Sequence, residues 1–124
     1  MSPWNMTFTL FLLDPRPFEE WRPSLDEMFG GQFVQDLEYK AEGRLRYINY
    51  VFGIAISCLH AESWPEGQVY RLGGGNDDCC RFDTLEEIDV SFHVRRLLSN
   101  VGFARIMSPD EYQGESVRRE QSRK

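Results

Sequence analysis

The longest apolar run of the chain lies near its middle, at residues 47–58 (YINYVFGIAISC). It is rich in Tyr, Val, Phe and Ile, which favour the half-buried surface of a β-strand. Alternate side chains of a strand point to opposite faces of a sheet, so the run divides into a bulky face and a small face. The bulky face comprises Ile48, Tyr50, Phe52, Ile54, Ile56 and Cys58, and the small face comprises Asn49, Val51, Gly53, Ala55 and Ser57. We therefore predict a central strand at about residues 44–59, with its bulky face in a core and a helix close against its small face.

Three shorter segments predict further strands. Residues 6–13 alternate at first and become fully apolar before an Asp-Pro pair ends them. Residues 68–72 follow a turn-like segment, which predicts a strand that returns antiparallel to the central strand as a hairpin. Residues 103–107 predict one more short strand, and residues 73–78 (GGGNDD) predict a flexible connection.

Capping signals and apolar spacing predict the helices. Pro23 interrupts the first helical segment, so a single turn and then a short helix at about residues 25–29 are expected. The clearest helix is predicted at about residues 84–101, because Thr84 and Glu87 have capping-box spacing. Its apolar stripe comprises Val90, Val94, Leu97, Leu98 and Val101. A strand remains the alternative at residues 88–94, where every second residue is apolar: Ile88, Val90, Phe92 and Val94.

Helices interspersed among strands, two of which are linked as a hairpin, predict a single α+β domain with a largely antiparallel sheet at residues 1–113. Residues 114–124 are predicted to form a basic, flexible C-terminal tail. The chain has 124 residues, enough to bury one core, and its three cysteines, two of them adjacent, do not suggest a disulfide framework. The apolar segments are shorter than the roughly 18 residues of a membrane span, and the expected location is the cytoplasm.

The chain is acidic, with 20 acidic residues, 14 Lys and Arg residues and a formal net charge of −6. Contact with phosphates needs positive charge, so this balance argues against direct nucleic-acid binding and favours a basic protein partner. The densest charge lies at residues 76–89 (NDDCCRFDTLEEID), where the acids are Asp77, Asp78, Asp83, Glu86, Glu87 and Asp89. We predict that this segment is a docking surface for a basic protein, and a merely solvated acidic edge is the alternative.

A few aromatic or Arg side chains carry most of the binding energy at protein interfaces. Trp64, Tyr70, Arg71 and Arg81 lie near the acidic segment in the sequence and are the candidate anchors. Ordinary packing in a loop or strand is the alternative for each of them. The free chain is expected to be a monomer.

No catalytic site, cofactor or metal is predicted. The glycine-rich segment at residues 73–76 lacks the Gly-Lys-Ser/Thr sequence of a phosphate-binding loop, and two aspartates follow it. Four soft ligands occur in the chain without the spacing that is usual for zinc: Cys58, His60, Cys79 and Cys80. The sequence therefore favours a binding protein over an enzyme.

The chain resembles a small immunity protein of a bacterial toxin–immunity system, of the contact-dependent growth inhibition or polymorphic-toxin kind. The features that carry the resemblance are a short acidic α+β chain, a hydrophobic hairpin at residues 44–72, an acidic segment that runs into a predicted capped helix at residues 77–101, and the lack of an assembled active site. The resemblance implies that the protein binds a cognate toxin domain, often a nuclease, and blocks its active site or its access to substrate.

Two other classes of function stay open. A different binding module, such as a secretion adaptor or effector chaperone, would more often dimerise and expose an apolar groove. A small enzyme or ligand-binding protein would use a pocket under the bulky face of the central strand, with His60, Tyr50 and Asp77 as its first candidate residues.

Overall fold

The chain folds into a mixed sheet with helices packed on it. The computed structural model describes residues 4–74 and 86–122, with the backbone alone at residues 4–6, 60–63 and 86–88. The strands in this part of the chain are β1 (Trp4–Asp14), β2 (Val34–Gln35), β3 (Arg46–Asn49), β4 (Ile54–Trp64), β5 (Gly67–Gly74), β6 (Glu86–Asp89) and β7 (Arg105–Met107). Their order is β2-β3-β4-β5-β1, and β6 and β7 both pair with the far edge of β1. The pairing of β6 with β1 is parallel, and the other pairs are antiparallel. The predicted α+β class with a largely antiparallel sheet is confirmed.

Helices cover both faces of the sheet. They are α1 (Phe18–Met28), α2 (Leu37–Ala41), α3 (Ser91–Leu98) and α4 (Pro109–Ser122), and a short 3-10 helix follows α3 at Ser99–Val101. The larger core lies on the face under α1 and α3, where it includes Phe8, Leu10, Leu12, Trp21, Leu25, Ile54, Ile56, Leu72, Val94 and Leu98. The smaller core lies on the opposite face next to α4 and includes Phe11, Leu13, Trp64, Val69 and Met107. The two-residue alternation of β1 supplies both cores, because successive side chains of a strand point to opposite faces.

The predicted central strand is two strands joined by a turn. β3 ends at Asn49 and β4 begins at Ile54, and the backbone N–H of Gly53 donates to the carbonyl of Asn49 at 2.9 Å. Gly53 has a φ of 66°, a left-handed conformation that glycine adopts without steric cost. The predicted hairpin between β4 and the strand at residues 68–72 is present as the antiparallel pair β4–β5.

The turn shifts the alternation of side chains by one position. Tyr47 lies opposite Ile56, whereas Ile48 lies opposite Ala55 and therefore faces the small side. A helix packs against the bulky face as well, because Phe18 and Trp21 of α1 lie in the same core as Ile56, while α4 lies on the opposite face of the sheet, next to β1 and β7. An alternation extrapolated through a turn assigns every residue beyond it to the wrong face.

The first helix continues through Pro23, which was expected to break it. Pro23 is exposed, and the helix is held to the sheet on both sides of the proline, by the buried side chains of Trp21 and Leu25. The hydrogen bond that proline cannot donate is lost on the solvent side, where water can satisfy the free carbonyl. Packing therefore overrides the local signal.

The predicted helix at residues 84–101 begins later than expected. Residues 86–89 form β6, which is parallel to β1, and the N–H of Val90 donates to the carbonyl of Thr7 at 2.8 Å. The helix α3 starts at Ser91, so the alternative of a strand is correct for the first part of residues 88–94 and wrong for the second. An available edge of β1 decides this boundary, because it offers the backbone of residues 86–89 a partner.

The C-terminal segment differs from the prediction as well. Residues 114–122 continue α4, and the side chain of Glu115 in its centre is buried. Gly73 and Gly74, predicted to lie in a flexible connection, are the last two residues of β5.

We predict that Gly67→Ala will destabilise the protein by about 3 kcal/mol, measured by urea unfolding. Gly67 has a φ of 138°, and a Cβ atom there would lie well within 3.0 Å of the carbonyl oxygen of Asp14. The matched control is Gly114→Ala, in the middle of α4 with no heavy atom within 4 Å of the new methyl group. It should stabilise the protein by roughly 0.5–1 kcal/mol. Equal effects at the two sites would contradict the close packing of the β4–β5 hairpin on Asp14.

Candidate functional site

The predicted acidic docking surface is only partly within the described residues. Asp77, Asp78, Arg81 and Asp83 lie outside them. Glu86 and Glu87 belong to β6, where their backbones are in register with residues 4 and 5 of β1. Asp89 is exposed, and its carboxylate accepts a hydrogen bond from the N–H of Ser91 at 2.9 Å. The hydrogen bonds from Ser91 lower the pKa of Asp89, so this acid is charged at neutral pH.

Two of the predicted aromatic anchors are core residues. Trp64 and Tyr70 are each 5% exposed. Tyr70 packs edge-to-face on Trp21, with 4.9 Å between ring centroids, and burial raises the pKa of its hydroxyl to about 12. Trp64 is covered by the guanidinium of Arg119, which lies 4.2 Å from its ring centroid. Both residues therefore follow the packing alternative and not the interface prediction, while Arg71 is half-buried in β5.

A different set of residues forms an exposed apolar surface. The turn between β3 and β4 presents three consecutive large side chains, Tyr50, Val51 and Phe52, which are 67%, 71% and 56% exposed. Phe92 on α3 is 79% exposed. Aromatic and aliphatic side chains on a turn gain nothing from exposure to water, so a cluster of them typically marks an interaction site.

The sequence pattern assigned Tyr50 and Phe52 to the core because they continue the bulky face of Ile54 and Ile56. The signal that could have corrected this is the pair Asn49 and Gly53, since Asn and Gly bracket many tight turns. The apolar composition of residues 47–58 predicts a strand and gives no indication of this turn.

One buried side chain holds this turn in place. Asn49 is 0% exposed, and its Oδ1 accepts hydrogen bonds from the N–H groups of Val51 at 2.9 Å and Phe52 at 3.2 Å. Its Nδ2 donates to the carbonyl of Gly31 at 3.1 Å. Asn49 thus ties the turn to the segment that follows α1, and the exposed side chains stand on a fixed backbone.

An apolar cleft opens beside the turn, on the face of the sheet that α1 and α3 cover. Its volume is about 370 Å³. The lining residues come from the C-terminal end of α1, the start of α3, the β3–β4 turn and the strands β1, β4 and β5. They are Phe8, Glu27, Met28, Phe29, Gly30, Phe52, Ile54, Gly74, Val90 and Val94. Glu27 is the one ionisable side chain in this set.

Gly74 is required for the shape of the cleft. A Cβ atom at this position would lie 2.9 Å from Cε1 of Phe8 and 3.2 Å from Cγ1 of Ile54. The glycine therefore lets the ring of Phe8 pack close against the end of β5. A second groove of about 390 Å³, lined in part by Leu97 and Val101, shares Glu27 and Met28 with the cleft. The interface between α1 and α3 is thus indented along its length.

The described residues that line the cleft do not supply the groups that acid–base or nucleophilic catalysis needs. Its described lining holds a single carboxylate and neither histidine nor cysteine. Cys58 has a thiol whose pKa is raised to about 11 by burial, so it is not a reactive thiolate. Of the residues named for the enzyme alternative, Tyr50 is exposed on the turn, Asp77 lies outside the described residues, and the side chain of His60 is not among those described.

Two carboxylates with strongly lowered pKa values lie on α4 and are not among the residues that line the cleft. The pKa of Glu111 is lowered to about 2, chiefly by its hydrogen bond with Arg95, at 2.6 Å. The pKa of Glu115 is also lowered to about 2, chiefly by hydrogen bonds from Arg118 and Arg119. Paired arginines explain both shifts, so they indicate structural ion pairs and not a reaction centre.

Neither metal ligation nor membrane insertion is indicated by the described parts of the chain. Within residues 4–74 and 86–122, no group of three or more His, Cys, Asp or Glu side chains is placed to hold a metal ion. No helix in the same ranges is long and apolar enough to cross a bilayer. The cleft and its turn are therefore the best-defined candidate site.

We predict that Asn49→Ala will lower the free energy of unfolding by about 2–3 kcal/mol, because it removes three hydrogen bonds and leaves their backbone partners unsatisfied. Urea unfolding of the variant gives the measurement. Asn100→Ala, an exposed asparagine in the 3-10 helix, is the matched control and should change stability by less than about 0.5 kcal/mol. A neutral Asn49→Ala would mean that the turn does not depend on this side chain.

We also predict a pH dependence of stability from Glu115. A carboxyl whose pKa is about 2 when folded and 4.5 when unfolded stabilises the fold fully above pH 4.5, and this stabilisation is lost as pH falls toward 2. The unfolding free energy of Glu115→Gln should therefore fall less steeply between pH 5 and pH 2 than that of the parent protein. Glu120→Gln, at an exposed position on the same helix, should keep the parent slope. Parallel curves for all three proteins would contradict the ion-pair assignment.

Comparisons of the chain with protein-family models, with curated protein sequences and with solved structures returned no match. The geometry offers a rigid apolar turn, an apolar cleft beside it and a carboxylate on the cleft wall. Such a surface can bind another molecule by apolar contact and by attraction of positive charge.

Proposed function

We propose that this protein is a binding protein that neutralises a basic toxin domain, as the immunity protein of a toxin–immunity pair in the bacterial cytoplasm. In this proposal the protein performs no chemistry. It occupies a surface that the toxin needs, with the β3–β4 turn and the apolar cleft as its docking face.

The observation that carries the proposal is the exposed apolar turn beside the cleft. Tyr50, Val51 and Phe52 are more than half exposed, although the chain has a core available on each face of its sheet. Interfaces between proteins are enriched in aromatic residues at their centres, surrounded by a polar rim. The turn supplies such a centre on a backbone that Asn49 fixes before binding.

The charge distribution supports a basic partner. Within residues 4–74 and 86–122, eight arginines form ion pairs with carboxylates of the same chain: Arg16, Arg22, Arg44, Arg46, Arg95, Arg105, Arg118 and Arg119. Glu27 and Asp89 make no ion pair with any described residue. Most arginines are thus paired with carboxylates of the chain itself, and the net charge of −6 remains. The negative field of this charge would speed association with a cationic nuclease.

A secretion adaptor or effector chaperone is the second candidate, and the apolar cleft favours it as well. A chaperone of this kind would bind an unfolded or extended segment and would more often be a dimer. Size-exclusion chromatography of the free chain separates the two, since an immunity protein is expected to elute as a monomer.

The decisive test searches the genes beside this one for a large protein that ends in a toxin-like domain and co-expresses that domain with this chain; the lack of any such gene would count against the proposal. We expect the two chains to purify together as a complex that inhibits the toxin, with an association rate that falls about tenfold or more between low and high salt. Phe52→Ala should raise Kd by roughly tenfold, because it removes a central aromatic anchor. Leu37→Ala, which truncates an exposed apolar side chain on α2, should leave Kd unchanged. A complex that tolerates Phe52→Ala would place the interface elsewhere, and a failure to bind or inhibit would refute the toxin-neutralising role.

A further inference from the structure

The apolar cleft has the features of a specific recognition pocket, and this inference rests on the proposed function. We infer that the cleft receives one large apolar side chain of the basic partner, and that a Lys or Arg next to that side chain in the partner pairs with Glu27. The inference defines the chemistry that the partner must present, namely an apolar residue with a cationic neighbour.

The size of the cleft fits a side chain better than a larger element. Its volume of about 370 Å³ lies at the lower end of the roughly 300–1,000 Å³ of pockets that enclose small ligands. The adjoining groove is lined in part by polar side chains, Ser24 and Asn100, so the mostly apolar surface is confined to the cleft. A single Leu, Met or Phe, with part of its neighbour, can be enclosed.

The floor of the cleft is packed before anything binds, and the backbone of the β3–β4 turn beside it is held by Asn49. Phe8 and Ile54 form this floor and are each 5% exposed. Gly74 has no side chain to fill the space above them, and Phe52 projects from the turn that Asn49 holds. A pocket that is already formed loses little conformational entropy on binding, which makes it an effective anchor site.

The charge at the cleft selects the neighbour of the apolar residue. Glu27 is exposed and lies in the last turn of α1, a turn that contains no basic residue. The C-terminal end of a helix carries partial negative charge, so a carboxylate there is unfavourable in the free protein. A cation from the partner would be attracted to both the carboxylate and the helix end. Charge complementarity therefore points to Lys or Arg and argues against an acidic peptide.

The experiment uses two short peptides as probes, acetyl-Lys-Leu-Phe-Arg-amide and its acidic counterpart acetyl-Glu-Leu-Phe-Glu-amide. Each is titrated into the full 15N-labelled chain and followed by the amide resonances of residues that line the cleft. We expect the basic peptide to shift the resonances of Phe8, Ile54 and Val90 and to bind several-fold more tightly than the acidic peptide.

Three variants of the chain test the assignment. Val90→Phe should fill the cleft and weaken the binding of the basic peptide roughly tenfold or more, because the peptide then buries less apolar surface. Glu27→Lys should weaken the binding of the basic peptide roughly threefold to tenfold, so that it no longer binds more tightly than the acidic peptide. Glu120→Lys makes the same change of charge on α4, on the other face of the sheet, and should leave both peptides unaffected. Thermal unfolding of each variant shows whether its fold is intact.

The outcomes separate this inference from the proposed function. Peptide-induced shifts outside the cleft, or equal binding by the parent protein and a folded Val90→Phe variant, would overturn the anchor pocket. If the toxin domain still binds the Val90→Phe and Glu27→Lys variants with unchanged Kd, the neutralising function stands and the pocket is refuted. If the basic peptide binds in the cleft but the neighbouring toxin domain does not bind at all, the pocket stands and the neutralising function is refuted.

Discussion

The hydrogen bonds of one buried asparagine hold the turn between β3 and β4, and the position of this turn sets which apolar side chains are exposed. Asn49 is the last residue of β3. Its side chain accepts hydrogen bonds from two N–H groups of the following turn and donates one to the carbonyl of Gly31, beyond α1. A buried amide without partners would be costly, so the turn and the loop have to stay where its hydrogen bonds place them. This constraint turns an apolar sequence that could have made one long strand into two strands with an exposed aromatic tip. It also brings that tip to the edge of the cleft between α1 and α3.

The two faces of the sheet use charge in different ways. On the face of α4, Glu115 is surrounded by Arg105, Arg118 and Arg119, and Arg119 also pairs with Glu66 at 2.7 Å while covering Trp64. These contacts attach a polar helix that contributes little apolar surface of its own to the smaller core. On the opposite face the carboxylate of Glu27 has no cation among the described residues. The face of α4 thus holds a buried carboxylate among arginines, whereas the wall of the cleft carries a carboxylate that pairs with no cation of the described residues.

The differences between prediction and structure have a common origin in contacts that are distant in the sequence. Pro23 should end a helix, but buried contacts of Trp21 and Leu25 on either side of it keep α1 continuous. The capping-box spacing of Thr84 and Glu87 predicts a helix start, but residues 86–89 pair with the free edge of β1 as a strand. Trp64 looks like an exposed loop aromatic, but Arg119, far along the chain, packs over its ring. In each case a local preference of about 1–3 kcal/mol is outweighed by burial or pairing that no short window of sequence contains.

Local pattern was sufficient for the α+β class and for the antiparallel hairpin of β4 and β5, and the composition gives the acidic balance of the chain. These properties follow from the sum of many short-range preferences and from charge counts, which do not depend on the tertiary contacts of the chain. The tertiary structure alone decided that Tyr50 and Phe52 are exposed, that Trp64 and Tyr70 are buried, and that α1, β5 and α3 enclose a cleft. The physical reason is that a single turn, held by one hydrogen-bonded side chain, reverses which residues face the core, and only the folded neighbours of that side chain show that the turn is there.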